Sequence, residues 1–262
     1  MKIFSYRSLR IVVLLMILAA AAIYTQEQRL VSRGWYTPLH VTIYPINADG
    51  DAATADYIAA LSTDDFADID AFMARESERY DIITSTPTTT RPGAEVEAIP
   101  PAPPASDANV VNVMLWSLRL RLWALWSTSD DDHGANGVRM FMLYHAPKTG
   151  QRLAHSLGLE KGLLGVVHAF AAPAQTDQNN IVIAHELLHM IGATDKYAPG
   201  GAPLYPHGYA EPDRKPQYPQ TRAEIMAVRI PHAPNVSQMA ASLRFTVVGE
   251  QTAREINWSA TD

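Results

Sequence analysis

Cysteine is the clearest absence, since none occurs among the 262 residues. A chain without cysteine cannot form a disulfide framework, a cysteine-ligated zinc ribbon or an iron–sulfur centre, and it has no cysteine nucleophile. A basic surplus is also lacking, because the formal net charge is −6. This balance argues against a general nucleic-acid binder, which would carry an excess of lysine and arginine. Charged residues are scarce at 18%, whereas the 47% hydrophobic share is ordinary for a globular protein.

The N-terminus combines a basic head with an apolar run. Residues 1–10 contain Lys2, Arg7 and Arg10, and residues 11–24 are apolar and uncharged. As a helix this run would extend roughly 21 Å, which is short for a hydrocarbon core of about 30 Å. The pattern is typical of a secretory signal peptide or a signal anchor. We therefore expect an extracytoplasmic protein, periplasmic or secreted, which keeps a single membrane anchor if residues 11–24 are not cleaved.

The rest of the chain predicts one domain of mixed α/β class. Residues 25–37 are expected to be a linker and residues 38–262 the folded domain, with a proline-rich loop at 84–106 inside it. Alternating or β-branched residues predict strands at 40–46, 138–144 and 164–171. Helical periodicity predicts one helix from a cap at Asp51 or Thr54 to Arg79, and a second that Asn179 or Asn180 can cap. A short strand is possible at 95–99, and residues 110–126 fit either a strand or a helix.

The most informative motif is H-E-L-L-H at residues 185–189. On a helix, His185 and His189 are four residues apart and project from the same side, where two imidazoles can bind one zinc ion. Glu186 lies at the rim of that side, within reach of water on the metal. A carboxylate in this place can act as a general base without being a ligand.

A third ligand should follow the helix. Gly192 can end the helix in a left-handed turn, which would bring Asp195 back to the metal. Asp195 could instead be a solvated turn residue paired with Lys196. Other carboxylates downstream are Glu211 and Glu224, and Glu224 is the better rival.

The full pattern, H-E-x-x-H-x-x-G-x-x-D, resembles the motif of the metzincin clan of zinc endopeptidases, in its snapalysin-like branch with Asp as third ligand. The resemblance covers mainly residues 160–230. It implies a zincin-like fold: a small mixed twisted sheet, an active-site helix and an irregular C-terminal subdomain. It also implies one Zn²⁺ held by His185, His189 and Asp195, a peptide or protein substrate, and a turn methionine beneath the metal, for which Met226 is the candidate.

The sequence departs from the family pattern after this methionine. Some metzincins carry a tyrosine two residues beyond it, where this chain has Val228. Oxyanion or substrate contacts could instead come from tyrosines in or beside the proline-rich loop at 198–222, which we expect to form a cleft wall: Tyr197, Tyr205, Tyr209 and Tyr218. The resemblance further implies that strand 164–171 is the edge strand along the cleft, where an extended peptide could pair.

The sequence therefore predicts an exported zinc endopeptidase in which Glu186 takes a proton from a zinc-bound water. Two alternatives remain open. One is an aminopeptidase of the gluzincin type with Glu224 as third ligand, and the other is a catalytically silent zinc-binding interaction module.

Overall fold

The computed structural model describes residues 6–105, 107–128, 134, 136–148, 153–160 and 162–259. Lys2, part of the predicted basic head, lies outside these residues. The described chain is of mixed α/β class, built around a mostly parallel sheet.

The central sheet contains five strands. They are β1 (Leu39–Asn47), β2 (Thr88–Pro92), β3 (Gly137–His145), β4 (Leu157–Leu159) and β5 (Leu164–Phe170). Their spatial order is β2-β1-β3-β5-β4. All neighbours pair in parallel except β4, which runs antiparallel to β5 at the edge.

The helices occur along the whole chain. They are α1 (Tyr6–Ser32), α2 (Ala52–Ala59), α3 (Ala67–Glu78), α4 (Val110–Ser127), α5 (Thr176–Met190) and α6 (Glu250–Glu255). Short 3₁₀ turns lie at Thr63–Phe66, Pro173–Gln175 and Leu243–Phe245. Four further short strands follow α5: β6 (Ala223–Glu224), β7 (Arg229–Ala233), β8 (Val236–Met239) and β9 (Thr246–Val247).

The sheet separates two hydrophobic clusters because successive side chains of a strand point to opposite faces. On one face, Met140 and Val167 pack with residues of α3 and α5, including Leu187. On the other face, Phe141 and Val166 pack with α4. Helices α4 and α5 therefore lie on opposite sides of the sheet.

The predicted strands at 40–46, 138–144 and 164–171 are present with nearly the expected bounds. Segment 110–126, which fitted two alternatives, is helix α4. The possible strand at 95–99 does not form. A strand forms at 88–92 instead, since Thr88 and Thr90 donate hydroxyl hydrogen bonds of 2.7 Å to Asp70 on α3 while their backbone pairs with β1.

The single helix expected after Asp51 is interrupted. Asp51 does cap α2, accepting a hydrogen bond of 2.8 Å from the Ala53 amide. However, α2 ends at Ala59, and a capping box between Ser62 and Asp65 starts a new helical segment that leads into α3. The box satisfies free amides at the new start and so favours a break at this point.

The predicted linker at 25–37 is partly helical, because α1 continues to Ser32. Its last turns contact the domain, where Gln28, Ser32 and Trp35 are buried. The Trp35 indole donates a hydrogen bond of 2.7 Å to the Ile256 carbonyl. None of the helices in the described ranges has both the length and the apolar character needed to span a bilayer.

Candidate metal centre

Helix α5 carries the H-E-L-L-H motif. It begins at Thr176, after the turn at Pro173–Gln175, so the expectation that Asn179 or Asn180 caps it is wrong. Both side chains lie inside the helix and bind the backbone of neighbouring elements. Asn179 donates to the Phe170 carbonyl at 3.1 Å, and Asn180 donates to the Asp65 carbonyl at 2.8 Å. These bonds hold α5 to the end of β5 and to the start of α3.

Three potential ligand atoms converge at the end of α5. The Nε2 atoms of His185 and His189 are 3.0 Å apart, and Asp195 Oδ1 lies 3.3 Å and 3.1 Å from them, respectively. Among the described residues this is the group of His, Asp and Glu side chains close enough to bind a metal ion. In tetrahedral zinc sites with bonds of about 2.0–2.1 Å, two ligand atoms are about 3.3 Å apart. The observed separations are close to that value.

Backbone carbonyls fix the orientation of both imidazoles. His185 Nδ1 lies 3.1 Å from the Ile225 oxygen, and His189 Nδ1 lies 2.8 Å from the Ala193 oxygen. A carbonyl oxygen only accepts, so each Nδ1 must carry the proton. In the neutral rings each Nε2 therefore presents a lone pair, and the two lone pairs face each other and a carboxylate. A cation between these three acceptors removes the repulsion, and carbonyl-bound imidazoles are the usual arrangement in metal sites.

The turn after α5 brings Asp195 to the histidines. Gly192 has φ = 107°, in the left-handed region that glycine adopts without strain. The Ala193 amide donates to the Leu188 carbonyl at 3.0 Å, which closes the helix end. Lys196 does not pair with Asp195 but with Glu255 on α6, at 2.7 Å. The alternative of Asp195 as a solvated turn residue paired with Lys196 is therefore wrong.

The charges of the cluster shift its titration. Partial burial acts to raise the pKa of Asp195. Hydrogen bonds from His185 and His189, which Nε2 can donate when the rings are protonated, and the positive charge of those rings outweigh burial and hold the pKa well below the usual range. Burial acts to lower the pKa of His189, yet Asp195 and the Ala193 carbonyl raise it above the ordinary value. The site therefore stabilises positive charge next to an ionised carboxylate.

Glu186 is buried beside the ligands. Its Oε2 atom has no hydrogen-bond partner among the described residues. Burial raises its pKa, and the charges that His185 and His189 can carry offset only part of that effect. An unpartnered buried carboxylate oxygen is costly and indicates a functional site or a missing partner.

Neither rival carboxylate reaches the histidines. Glu224 is fully buried and accepts hydrogen bonds from the amides of Met226 and Gly249, at 2.6 Å and 3.2 Å, and from the Thr252 hydroxyl at 2.7 Å. Glu211 pairs with arginines of its own loop. Asp195 is thus the carboxylate that the structure brings to His185 and His189.

Met226 lies in a tight turn that supports the site. The turn is closed by hydrogen bonds of 2.9 Å from the amides of Ala227 and Val228 to the Glu224 carbonyl. Within it, the Ile225 carbonyl faces His185, and the Met226 carbonyl accepts from the Lys196 amide at 3.0 Å. The Met226 side chain is fully buried in the core.

The four candidate tyrosines fall into two groups. Tyr197 stacks near His185, with ring centroids 6.3 Å apart. Burial and the Asp195 charge raise the pKa of Tyr197 to about 12. The others form a cluster of their own: the hydroxyls of Tyr209 and Tyr218 are 2.8 Å apart, and Tyr205 packs edge-on against Tyr209 at 5.5 Å. The structure therefore places only Tyr197, of the four, beside the ligand group.

Loop 198–222 is held to the domain by backbone hydrogen bonds. Its Leu204 amide donates to the Lys196 carbonyl at 2.8 Å, and its Gln220 amide donates to the Pro231 carbonyl at 2.8 Å. Tyr209 forms an isolated bridge with Ala223. These contacts hold the loop to the segment that follows Asp195, and its role as a wall of the cleft stays a prediction.

The edge strand beside the site is β4, so the expectation that strand 164–171 forms the edge is wrong. That strand, β5, is flanked by β3 and β4. Sequence reasoning missed β4 because its three residues, L-G-L, are too short for a periodic signal. At its centre, a Cβ on Gly158 would lie 2.5 Å from the Glu186 carbonyl oxygen and 3.0 Å from the His189 Cβ. Only glycine lets β4 approach α5 this closely.

Comparison with known proteins does not identify a family for this chain. No protein-family model matches the chain, and the search of curated proteins finds no match.

Proposed function

We propose that the chain is a zinc-dependent endopeptidase with a zincin-like, metzincin-type active site. The observation that carries the proposal is the convergence of two carbonyl-oriented imidazoles and one carboxylate within 3.0–3.3 Å. The unpartnered Oε2 of Glu186 lies next to them. Two histidines and one carboxylate form a three-ligand set that is typical of catalytic zinc sites, which leave one position open.

Metal binding and proton transfer would be carried out by different residues of the chain. His185, His189 and Asp195 would hold one Zn²⁺, which when bound acidifies water and stabilises negative charge on a carbonyl oxygen. Glu186 accepts the proton of the attacking water at its free Oε2 and then donates it to the leaving amine. Burial suits this role, because it raises the carboxylate's basicity. Tyr197, whose ring lies beside that of His185, is the candidate for oxyanion or substrate contacts.

A peptide substrate is favoured by the strand next to the site. Within the described residues, β4 pairs with β5 alone, and it lies against the backbone of Glu186. An extended peptide could add to the open side of β4 through main-chain hydrogen bonds. The wall at 198–222 would then contact its side chains.

The basic head and apolar run at the N-terminus support an extracytoplasmic location, with a possible membrane anchor at residues 11–24. In this proposal the enzyme acts outside the cytoplasm.

The variant Glu186→Gln tests the catalytic assignment. It keeps the shape of the side chain but removes the base, so zinc content should remain while cleavage of a quenched-fluorescence peptide library falls at least about 100-fold. Leu204→Ala, in the wall and away from the ligands, serves as a control that should retain zinc and measurable cleavage. Near-normal cleavage by Glu186→Gln would refute the assignment. A wild-type protein that binds zinc but cleaves no peptide would favour the silent interaction module.

A further inference from the structure

Helix α4 is apolar on the side that faces away from the sheet. Only Leu120 and Ala124 of this helix are buried. Its exposed apolar side chains follow helical spacing along the opposite side, and we call them the outer stripe: Val111, Leu115, Leu118, Leu122, Leu125 and Trp126. A helix that is apolar on all sides is normally covered on all sides. An exposed apolar surface of this length therefore indicates a partner.

A second large apolar surface lies on α1. Residues of its apolar run, including Ile11, Leu14, Leu15 and Ile23, are exposed. The two helices meet the domain at the same turn. Arg29 of α1 lies 3.4 Å from Glu160, and the Arg121 side chain of α4 lies 3.5 Å from the position that a Cβ on Gly162 would take. The two helices that carry the exposed apolar surfaces thus contact residues only two positions apart.

We propose that the outer stripe of α4 docks onto the surface of a lipid bilayer, which also covers the apolar run of α1. One bilayer covers both apolar surfaces, whereas a second copy on the stripe would leave α1 uncovered. Trp126, which is 77% exposed at the end of the stripe, suits the interface between hydrocarbon and water. Arg119, exposed beside the stripe, can extend its charged group toward the headgroups.

This docking does not depend on the proposed peptidase activity. It does set the direction in which the metal centre faces. Because α4 and α5 pack on opposite faces of the sheet, a bilayer on α4 leaves α5 and the candidate centre on the side away from the lipid. A docked enzyme would then meet its substrates in the aqueous phase, on the side of the domain away from the membrane.

Single-cysteine labelling tests the docking cleanly, since the chain has no native cysteine. Leu118→Cys places an environment-sensitive fluorophore on the outer stripe. Val236→Cys on β8 is the matched control, because the two residues are 53% and 57% exposed. The full chain would be placed, one copy per disc, in phosphatidylcholine nanodiscs with or without lipids that carry a quencher in the acyl chain. Leu122→Cys provides an independent position on the same stripe.

We expect labels at Leu118 and Leu122 to emit at shorter wavelength and to be quenched by the lipid several-fold more than the label at Val236. Equal access of all three labels to aqueous iodide, without lipid quenching, would overturn the docking. It would also be overturned if the stripe were protected only in discs that hold two chains, since the occupant would then be a second copy. A chain that does not associate with the disc would contradict it as well.

Discussion

Gly158 has no side chain, and the close packing of β4 against α5 depends on this. Its backbone lies against Glu186 and His189, with no room for a methyl group. We predict that Gly158→Ala forces β4 away from α5 and destabilises the fold by about 1–3 kcal/mol, in the range of overpacked cores. Cleavage should fall more than zinc affinity, because the ligands lie on α5 and on the turn after it, whereas β4 would bind the substrate.

The measurements that check this are peptide cleavage, zinc affinity and denaturant unfolding of Gly158→Ala beside the wild type. Unchanged stability and cleavage would show that β4 does not need its close approach.

Glu224 provides a pH-dependent test of the turn that supports His185. Burial raises its pKa from 4.5 to about 7, although hydrogen bonds from Thr252, Gly249 and Met226 act in the opposite direction. Between these values the folded state keeps a proton that the unfolded state releases, so the free energy of unfolding falls as pH rises from about 4.5 to about 7. The loss is about 3 kcal/mol at one pKa unit per 1.36 kcal/mol.

The check is urea unfolding of the wild type and Glu224→Gln at pH 4.5 and pH 7.5, both with a chelator. The stability of the variant relative to the wild type should increase with pH, because only the wild type contains this titrating group. A difference that does not change with pH would refute the raised pKa.

Individual site residues could be predicted from sequence where a motif fixes their spacing. They could not be predicted where they depend on tertiary contacts between residues distant in sequence. The spacing of His185 and His189 follows from helix geometry, and the left-handed turn at Gly192 brings Asp195 to them. By contrast, no local signal identifies the tyrosine at the site. Tyr197 reaches Asp195 because the chain turns after Gly192, whereas the more distant tyrosines cluster with one another.

At the scale of elements, α6 supports the turn that carries Asp195. The Glu255 carboxylate accepts hydrogen bonds of 2.9 Å from the Thr194 amide and of 2.7 Å from Lys196 Nζ. These residues flank Asp195 on both sides, so α6 fixes the third ligand without touching it. Lys196 is buried, and the loss of its charged partner is therefore costly.

We predict that Glu255→Gln weakens zinc affinity about tenfold, at the lower end of the effect of residues that orient ligands. The matched control is Glu250→Gln on the same helix, since Glu250 is 83% exposed and pairs only with Arg254 among the described residues. Zinc affinity by competition with a fluorescent chelator is the measurement. Equal affinities of the two variants would remove Glu255 from the site's support.

Sequence patterns predicted the longer elements because their burial is periodic. The strands around β1, β3 and β5 and the helix α5 have such patterns. Segment 110–127 had two interpretations because apolar residues surround α4, so neither period stands out. The start of α5 was misplaced since Asn179 and Asn180 are good capping residues locally, but their side chains bind Phe170 and Asp65 instead. Tertiary contacts override local preference there.

At the scale of the whole molecule, strand order decides which backbone is open beside the site. Sequence suggested that strand 164–171 is the edge, but the antiparallel β4 covers it. The packing of the segment just after α1 against the domain could not be predicted from sequence either. The hydrogen-bond partners of Arg33 and Trp35 lie more than 200 residues away, at Glu255 and Ile256. Arg33, just after α1, also lies against Gly192 in the turn that leads to Asp195.

The most direct test of the central claim is the metal content of the purified chain by elemental mass spectrometry. Three proteins would be compared after dialysis against zinc: the wild type, Asp195→Ala and Glu224→Gln. We expect one zinc per chain in the wild type and in Glu224→Gln, and loss of zinc in Asp195→Ala, because Asp195 is the carboxylate of the ligand group. No zinc in the wild type, or zinc retained by Asp195→Ala and lost by Glu224→Gln, would contradict it.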